Sequence, residues 1–283
     1  MRIALLAVPY DAGRRSSGVG LGPGRLLDAG VANQLRDAGH DVREATIELP
    51  HDVSQHEMAR TVAIQRELGR AVREAVAADE LPVVLAGNCS TAVGTLAARP
   101  AGSVVIWFDA HADFNTADTT ITGMLDGLAL SMVTGRAIQT MTASVQGFIP
   151  VDESHVILVG ARDLDAAEEA ALAASPIARV SADTAASHIA DALRAIARPS
   201  APVYLHLDLD VLEPTLARAN RYAAPGGLSP ESLVATLQQI VDVAPVHAVA
   251  ITAYDPAWDA NGRTLRTAFD ALGVLAPRLD GGE

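Results

Sequence analysis

The sequence predicts an α/β fold in which helices cover both faces of a mainly parallel sheet. Three observations carry that expectation. Hydrophobic residues make up 49% of the 283 residues and aromatics only 4%, so the core is built mainly from Ala, Val, Leu and Ile, which suits helices packed on parallel strands. Short apolar runs rich in β-branched residues alternate with longer stretches of helical spacing, the order that generates a parallel sheet. Polar side chains gather where several of those runs end, and in open α/β sheets ligands bind beyond the carboxyl ends of the strands. No low-complexity linker marks a boundary, so residues 1–283 read as a single domain.

In chain order, the runs that read as strands are 2–8, 83–87, 103–111, 155–163, 202–210 and 246–256, each apolar enough to be buried on both faces. Helical spacing marks 24–38, 54–78, 183–197, 230–243 and 264–275, with a shorter helix over 127–134. The segment SSGVGLGPG at 16–24 reads as a tight connection into a helix starting near Pro23, because proline suits a first helical turn. A phosphate cradle needs a different glycine spacing, directly after a strand. The tail, residues 280–283, reads as a loop.

The net charge of −13 comes from scattered Asp and Glu, with no basic stripe to meet a phosphate backbone, so nucleic acid is not an expected partner. No stretch approaches the roughly 20 apolar residues of a membrane-spanning helix, and the start MRIALLAVPYDAG lacks a signal core and cleavage pattern. A cytoplasmic protein without membrane partners is expected. The one cysteine, Cys89, cannot make an internal disulfide, which agrees with a reducing compartment.

The chemistry concentrates at two strand ends. The run VVIWF at 104–108 leads into Asp109-Ala-His111-Ala-Asp113-Phe-Asn115, and alternation along a continued strand would turn Asp109, His111 and Asp113 to one side. The run 204–207 leads into Asp208-Leu-Asp210, which repeats the pattern. Either end alone reads as solvated loop acids or helix caps. Four carboxylates crowded together, with no lysine or arginine at either end, are unfavourable unless divalent metal neutralises them. A mostly oxygen ligand set with imidazole suits Mn²⁺ better than the sulfur-rich sets of structural zinc.

The pairing of Asp109-Ala-His111-Ala-Asp113-Phe-Asn115-Thr116 with Asp208-Leu-Asp210-Val-Leu-Glu-Pro214 resembles the ureohydrolases: arginase, agmatinase, formiminoglutamase and relatives. The likeness extends to Gly18-Val-Gly20-Leu-Gly22-Pro23, Gly160-Ala-Arg162-Asp163-Leu-Asp165 and Ala253-Tyr-Asp255-Pro256. It implies a three-layer α/β/α, arginase-like domain. It further implies a hydrolase that cleaves a C–N bond of a guanidino or amidino small molecule at a dinuclear manganese centre, commonly in a trimer or hexamer. Asp109 and Asp208 would bridge the two ions, Asp113 would serve one, and His111 and Asp210 the other. Such a pair acidifies a bridging water, so no protein nucleophile is needed.

Three positions leave the family pattern. Cys89, in Gly87-Asn-Cys-Ser90, stands where the family's Asp-His pair supplies a metal-ligating histidine. A thiolate there would alter that metal's affinity or identity, while a small buried cysteine is the alternative. His206 shares the face of Asp208 and reads as packed behind the site or as a replacement imidazole. Asp126 occupies the place of a proton-shuttling histidine, as a catalytic carboxylate beside Asp113 or as the cap of the following helix. Ala253 falls where a guanidinium-pairing glutamate is expected. The resemblance leaves Asn115 and Thr120 for a substrate carboxylate, Asp163 and Asp165 for its amino group, and Met124 in place of a polar contact. An amino acid with a modified, less basic guanidine fits this mixture. N-hydroxyarginine is the preferred example, because the hydroxyarginine-hydrolysing branch of the family has a similar cysteine. The competing readings are a catalytically silent binding protein and a hydrolase of a formimino or amide compound.

Overall fold

The computed structural model describes residues 1–198 and 201–276, so the tail at 280–283 lies outside the described residues. Eight strands form the central sheet: β1 (Arg2–Val8), β2 (Asp41–Thr46), β3 (Leu81–Ala86), β4 (Val104–Phe108), β5 (Val156–Val159), β6 (Ala178–Val180), β7 (Val203–Asp208) and β8 (Val246–Thr252). Their order is β2-β1-β3-β8-β7-β4-β5-β6. Every neighbouring pair is parallel. A two-residue-per-strand antiparallel hairpin, Tyr10–Asp11 with Arg14–Arg15, stands apart.

Alternating side chains from the same strands feed two cores. Ile106, Phe108, Leu205, Leu207, Val249 and Ile251 face the helices Ala185–Ile196, Pro230–Val241 and Arg263–Leu275. Val105, Trp107, Tyr204, Ala248 and Ala250 face Glu57–Ala77 and Ala129–Val133. The result is the expected α/β/α layering. Removing any one of the fully buried Leu side chains here costs about 2–5 kcal/mol.

The differences from the sequence reading have local causes. β2 and β6 were not expected. β2 reads DVREAT, with a single buried residue, and β6 has three residues, so neither carries a buried apolar run. The expected strand 103–111 stops at Phe108 because the chain then bends, with Asp113 in the left-handed region at φ 51°. The expected helix 24–38 is two helices, Gly22–Asp28 and Val31–Asp37, broken at Gly30 with φ 94°. The expected helix 127–134 narrows to Ala129–Val133 after a 3₁₀ turn over Asp126–Leu128.

Glycines of the 16–24 segment serve close packing. A Cβ on Gly87 would lie 2.1 Å from the Tyr10 carbonyl oxygen and 3.0 Å from Gly20 Cα. One on Gly22 would lie 2.3 Å from the Tyr254 carbonyl oxygen. The segment seats the hairpin and the start of the helix Gly22–Asp28 against the ends of β3 and β8.

Candidate metal centre

The centre of the sheet brings β3, β8, β7 and β4 side by side, so four strand ends open onto one place. Cys89 begins a 3₁₀ turn just past β3, and Asp109 directly follows β4. Asp208 ends β7, and its carboxylate accepts the Asp210 N–H at 2.8 Å, which folds Asp210 back toward the cluster. Backbone bonds fasten these loops together: Ala253 N–H to Gly87 O at 2.9 Å, Asp163 N–H to Ala110 O at 3.0 Å, and Ser131 N–H to Asp113 O at 3.1 Å.

Two overlapping groups of donors result. Ligand atoms of Cys89, Asp109 and Asp113 lie within 4.8 Å of one another, as do those of Asp109, His111 and Asp210. Cys89 Sγ is 2.9 Å from Asp208 Oδ2. The six residues named as ligands from the sequence therefore converge. The means differ from the expectation for the 109–113 segment: Asp113 arrives through a left-handed turn, not by continuation of the strand.

The electrostatics show what the cluster lacks. Burial, then mutual repulsion, pushes the carboxyls of Asp113 and Asp208 well above their ordinary range, and Asp109 rises for the same reasons. Burial and the charges of Asp208, Asp126 and Asp113 likewise push the Cys89 thiol up. Burial opposes charging of His111, but its hydrogen bond to Asp109 and the charges of Asp210, Asp109 and Asp163 outweigh it and raise it to about 10. The cluster thus draws in positive charge. Asp113 Oδ2 is buried without a hydrogen-bond partner. A donor set of four carboxylates, one imidazole and one thiol, short of cations and with an orphaned oxygen, fits a pair of divalent ions.

Asp126 is half-buried and is not a helix cap. Its Oδ1 accepts the Ser90 N–H at 2.9 Å and its Oδ2 accepts Asn88 Nδ2–H at 2.8 Å, so it grips both residues flanking Cys89. Asn88 is held in turn, its Oδ1 accepting the Ala12 N–H at 2.8 Å. Burial raises Asp126 to about 6 against those two hydrogen bonds, which lower it. His206 is fully buried behind the cluster, stacked on Trp107 at 3.6 Å and 7°. Burial lowers it to about 3, so it is neutral. Trp107 Nε1–H donates to Asp109 Oδ2 at 3.1 Å.

A cavity of about 380 Å³ opens over the cluster, lined by Asn115, Met124, Asp126, Asp163, Asp165 and Ala253 among others. Asn115 donates to Asp165 Oδ2 at 3.3 Å and accepts from Thr119 Oγ1 at 2.9 Å. Thr120 is not part of the lining, and its hydroxyl accepts the Gly123 N–H at 3.0 Å. Ala253 adopts φ 60° and brings no carboxylate. Sequence reasoning missed several contributors. Asn220 donates to Asp210 Oδ2 at 3.2 Å and to Ala253 O at 2.9 Å. Glu168 accepts the Phe114 N–H at 2.8 Å, and Tyr222 meets Met124 across the mouth. Arg162 donates to the carbonyls of Gly160, Asp210, Leu212, Ala224 and Pro225, joining its own loop to the long connection after Asp208. Only Arg162 carried a signal, through its place in the quoted strand-end motif.

A model of the arginase family matches residues 1–276. The chain belongs to the arginase family. Its relatives include the arginases of Bacillus subtilis (strain 168), 26% identical over 96% of this chain and 97% of the relative, and of Brevibacillus brevis, 28% identical over 94% of each. Among solved structures, the arginase from Bacillus cereus superposes with a TM-score of 0.88 at 26% identity, covering 99% of both chains. The arginase from Bacillus subtilis gives 0.87 at 25%, again over 99% of both. The family resemblance and the three-layer arginase-like fold expected from the sequence are borne out. Among the described residues, no helix is long and apolar enough to cross a membrane.

Proposed function

We propose that this site hydrolyses a C–N bond in the guanidine of a modified arginine, with N-hydroxyarginine as the preferred substrate. Family membership makes the chain a hydrolase of C–N bonds in linear amidines; the proposal concerns which amidine. One observation carries it: Asp126 lines the cavity beside Cys89, while position 253, which also lines it, is an alanine and brings no carboxylate. A fully basic guanidinium would find no carboxylate at position 253, where the family pattern expects one. A hydroxyguanidine, less basic, needs less compensation.

Cys89, Asp109, Asp113 and Asp208 would hold one manganese ion and Asp109, His111, Asp208 and Asp210 the other. Bound there, the ions supply Lewis acidity that makes water nucleophilic at neutral pH. The chain's own groups do the rest. Asp113, whose Oδ2 is buried without a hydrogen-bond partner, would take a proton from the attacking water. Asp126, which lines the cavity beside Cys89, would hold a proton and return it to the departing nitrogen. Asn115, Met124, Asp163 and Asp165 line the cavity where the amino-acid end would sit. Thr120 lies outside that lining, and its hydroxyl, while accepting the Gly123 N–H, keeps its own hydrogen to donate. A homotrimer or homohexamer belongs to the same proposal and rests on the resemblance; a cytoplasmic location is proposed with it.

The test is a substrate panel with purified, manganese-loaded protein. N-hydroxyarginine should give hydroxyurea and ornithine with a kcat/KM above that for arginine, agmatine and formiminoglutamate. Preference for arginine would refute the assignment.

A further inference from the structure

Four buried polar groups run in a line away from the metal cluster, through the largely apolar core on that face of the sheet, with Thr95 beside the far end at Tyr204. Tyr204 OH lies 2.8 Å from His206 Nδ1. His206 Nε2 lies 3.3 Å from Thr252 Oγ1, and Thr252 Oγ1 lies 3.2 Å from Cys89 Sγ. The three residues share neighbouring strands: His206 pairs with Trp107 on one side and Ala250 on the other, and Thr252 pairs with Asp208. The Trp107 ring fixes the plane of the imidazole. The candidate site as described above uses none of Tyr204, His206 or Thr252.

Each of these groups has few protons to give, and that decides the direction of the line. Tyrosine and threonine each carry one hydroxyl hydrogen, and a neutral imidazole carries one N–H and one bare nitrogen. Without metal the Cys89 thiol donates to Asp208 Oδ2 at 2.9 Å; once it ligates metal it has no hydrogen left, and the Thr252 hydroxyl, 3.2 Å away, becomes the donor to Sγ. The Leu207 carbonyl, at 3.5 Å, is the more distant acceptor for that hydrogen. With its hydrogen committed, Thr252 Oγ1 accepts from His206 Nε2–H. Nδ1 is then bare and accepts from Tyr204 OH. One ligand's ionisation thus sets the tautomer of a histidine two steps away.

We infer that Tyr204, His206 and Thr252 form a one-way chain of hydrogen-bond donors that ends on the Cys89 thiolate, positioning the sulfur and withdrawing charge from it. The inference rests on the reading of Cys89 as a metal ligand. It gives a physical role to a thiolate in an acid cluster: donated hydrogen bonds offset the repulsion from Asp208, Asp113 and Asp109, and such outer contacts tune a ligand's basicity. Tyr204, His206 and Thr252 are positioning residues, acting through Cys89.

The full chain loaded with cobalt(II) tests it, because a cobalt-bound thiolate gives a sulfur-to-metal charge-transfer band in the near ultraviolet. Wild type should show the band and Cys89→Ser should lose it. Thr252→Val removes the last donor, so the band should move to longer wavelength as the sulfur electrons lose stabilisation. Thr252→Ser keeps the hydroxyl and should restore the wild-type position, and Tyr204→Phe should give a smaller shift in the same direction. Circular dichroism and a thermal melt on each variant confirm folding. No band in wild type would overturn the ligand reading and the chain with it. A band that stays in place in folded Thr252→Val would overturn the chain alone and leave Cys89 a ligand. If Thr252→Val does not fold, a Tyr204→Phe band unmoved from wild type overturns the relay.

Discussion

Replacing Asp126 with asparagine removes one titrating carboxyl from the cleft while keeping a planar side chain of equal size. In the metal-free protein burial raises Asp126 to about 6 from an ordinary 3.8. The folded state therefore holds a proton that the unfolded chain has already released between those two values. The group contributes stability that is fully present below about pH 4 and is lost as pH rises through about 6. Two units at 1.36 kcal/mol each make about 3 kcal/mol in all, of which about 1.4 kcal/mol falls between pH 5 and pH 8. The amide introduced at position 126 would also face the Asn88 amide, since Asn88 is fixed by its bond to Ala12. That donor clash lowers stability by a pH-independent amount, so the slope, not the absolute value, is the readout. Urea unfolding of chelated wild type and Asp126→Asn at pH 5 and pH 8 should show wild type losing about 1.4 kcal/mol more than the variant across that span. Neighbouring acids are common to both proteins, and relief of their repulsion in the variant adds with the same sign. Parallel slopes would refute the claim that a costly charge is buried at Asp126.

Cys89→Ser should weaken one of the two metal sites by at least about tenfold, read as loss of one manganese per chain by elemental analysis after dialysis, with the second ion retained. Ala253→Glu should raise the ratio of kcat/KM for arginine over N-hydroxyarginine by about tenfold or more, because it supplies the missing carboxylate; an unchanged ratio would show that this wall does not select the substrate. Gly87→Ala should destabilise the fold by about 3 kcal/mol in urea unfolding, since its Cβ has only 2.1 Å to the Tyr10 carbonyl and rigid backbone on both sides.

Much of the molecule was legible because burial on both faces leaves continuous apolar runs, and β1, β3, β4, β5, β7 and β8 all have them. β2 and β6 lie at the two margins of the sheet, where one strand neighbour is missing and apolar content falls. The ligand positions were legible because acids packed two and four residues apart after a strand have few structural uses. Asn220 and Glu168 were not, since each acts on a backbone group far away in sequence, the Ala253 carbonyl and the Phe114 N–H. The bend at Asp113 was invisible for another reason: nothing in the string DAHADF announces a left-handed aspartate.

Arg162 gives the cleft wall a property of its own. Its guanidinium donates to carbonyls of its own strand-end loop and of the long connection after Asp208, so its donors are taken up within the protein. The chain between Asp210 and Pro225 is thereby ordered when the protein folds and not when ligand arrives. A molecule entering on that side meets a rigid surface, loses little extra freedom by freezing loops, and has no need of a closing flap. Discrimination between similar guanidines on that side then rests on fit to a fixed shape.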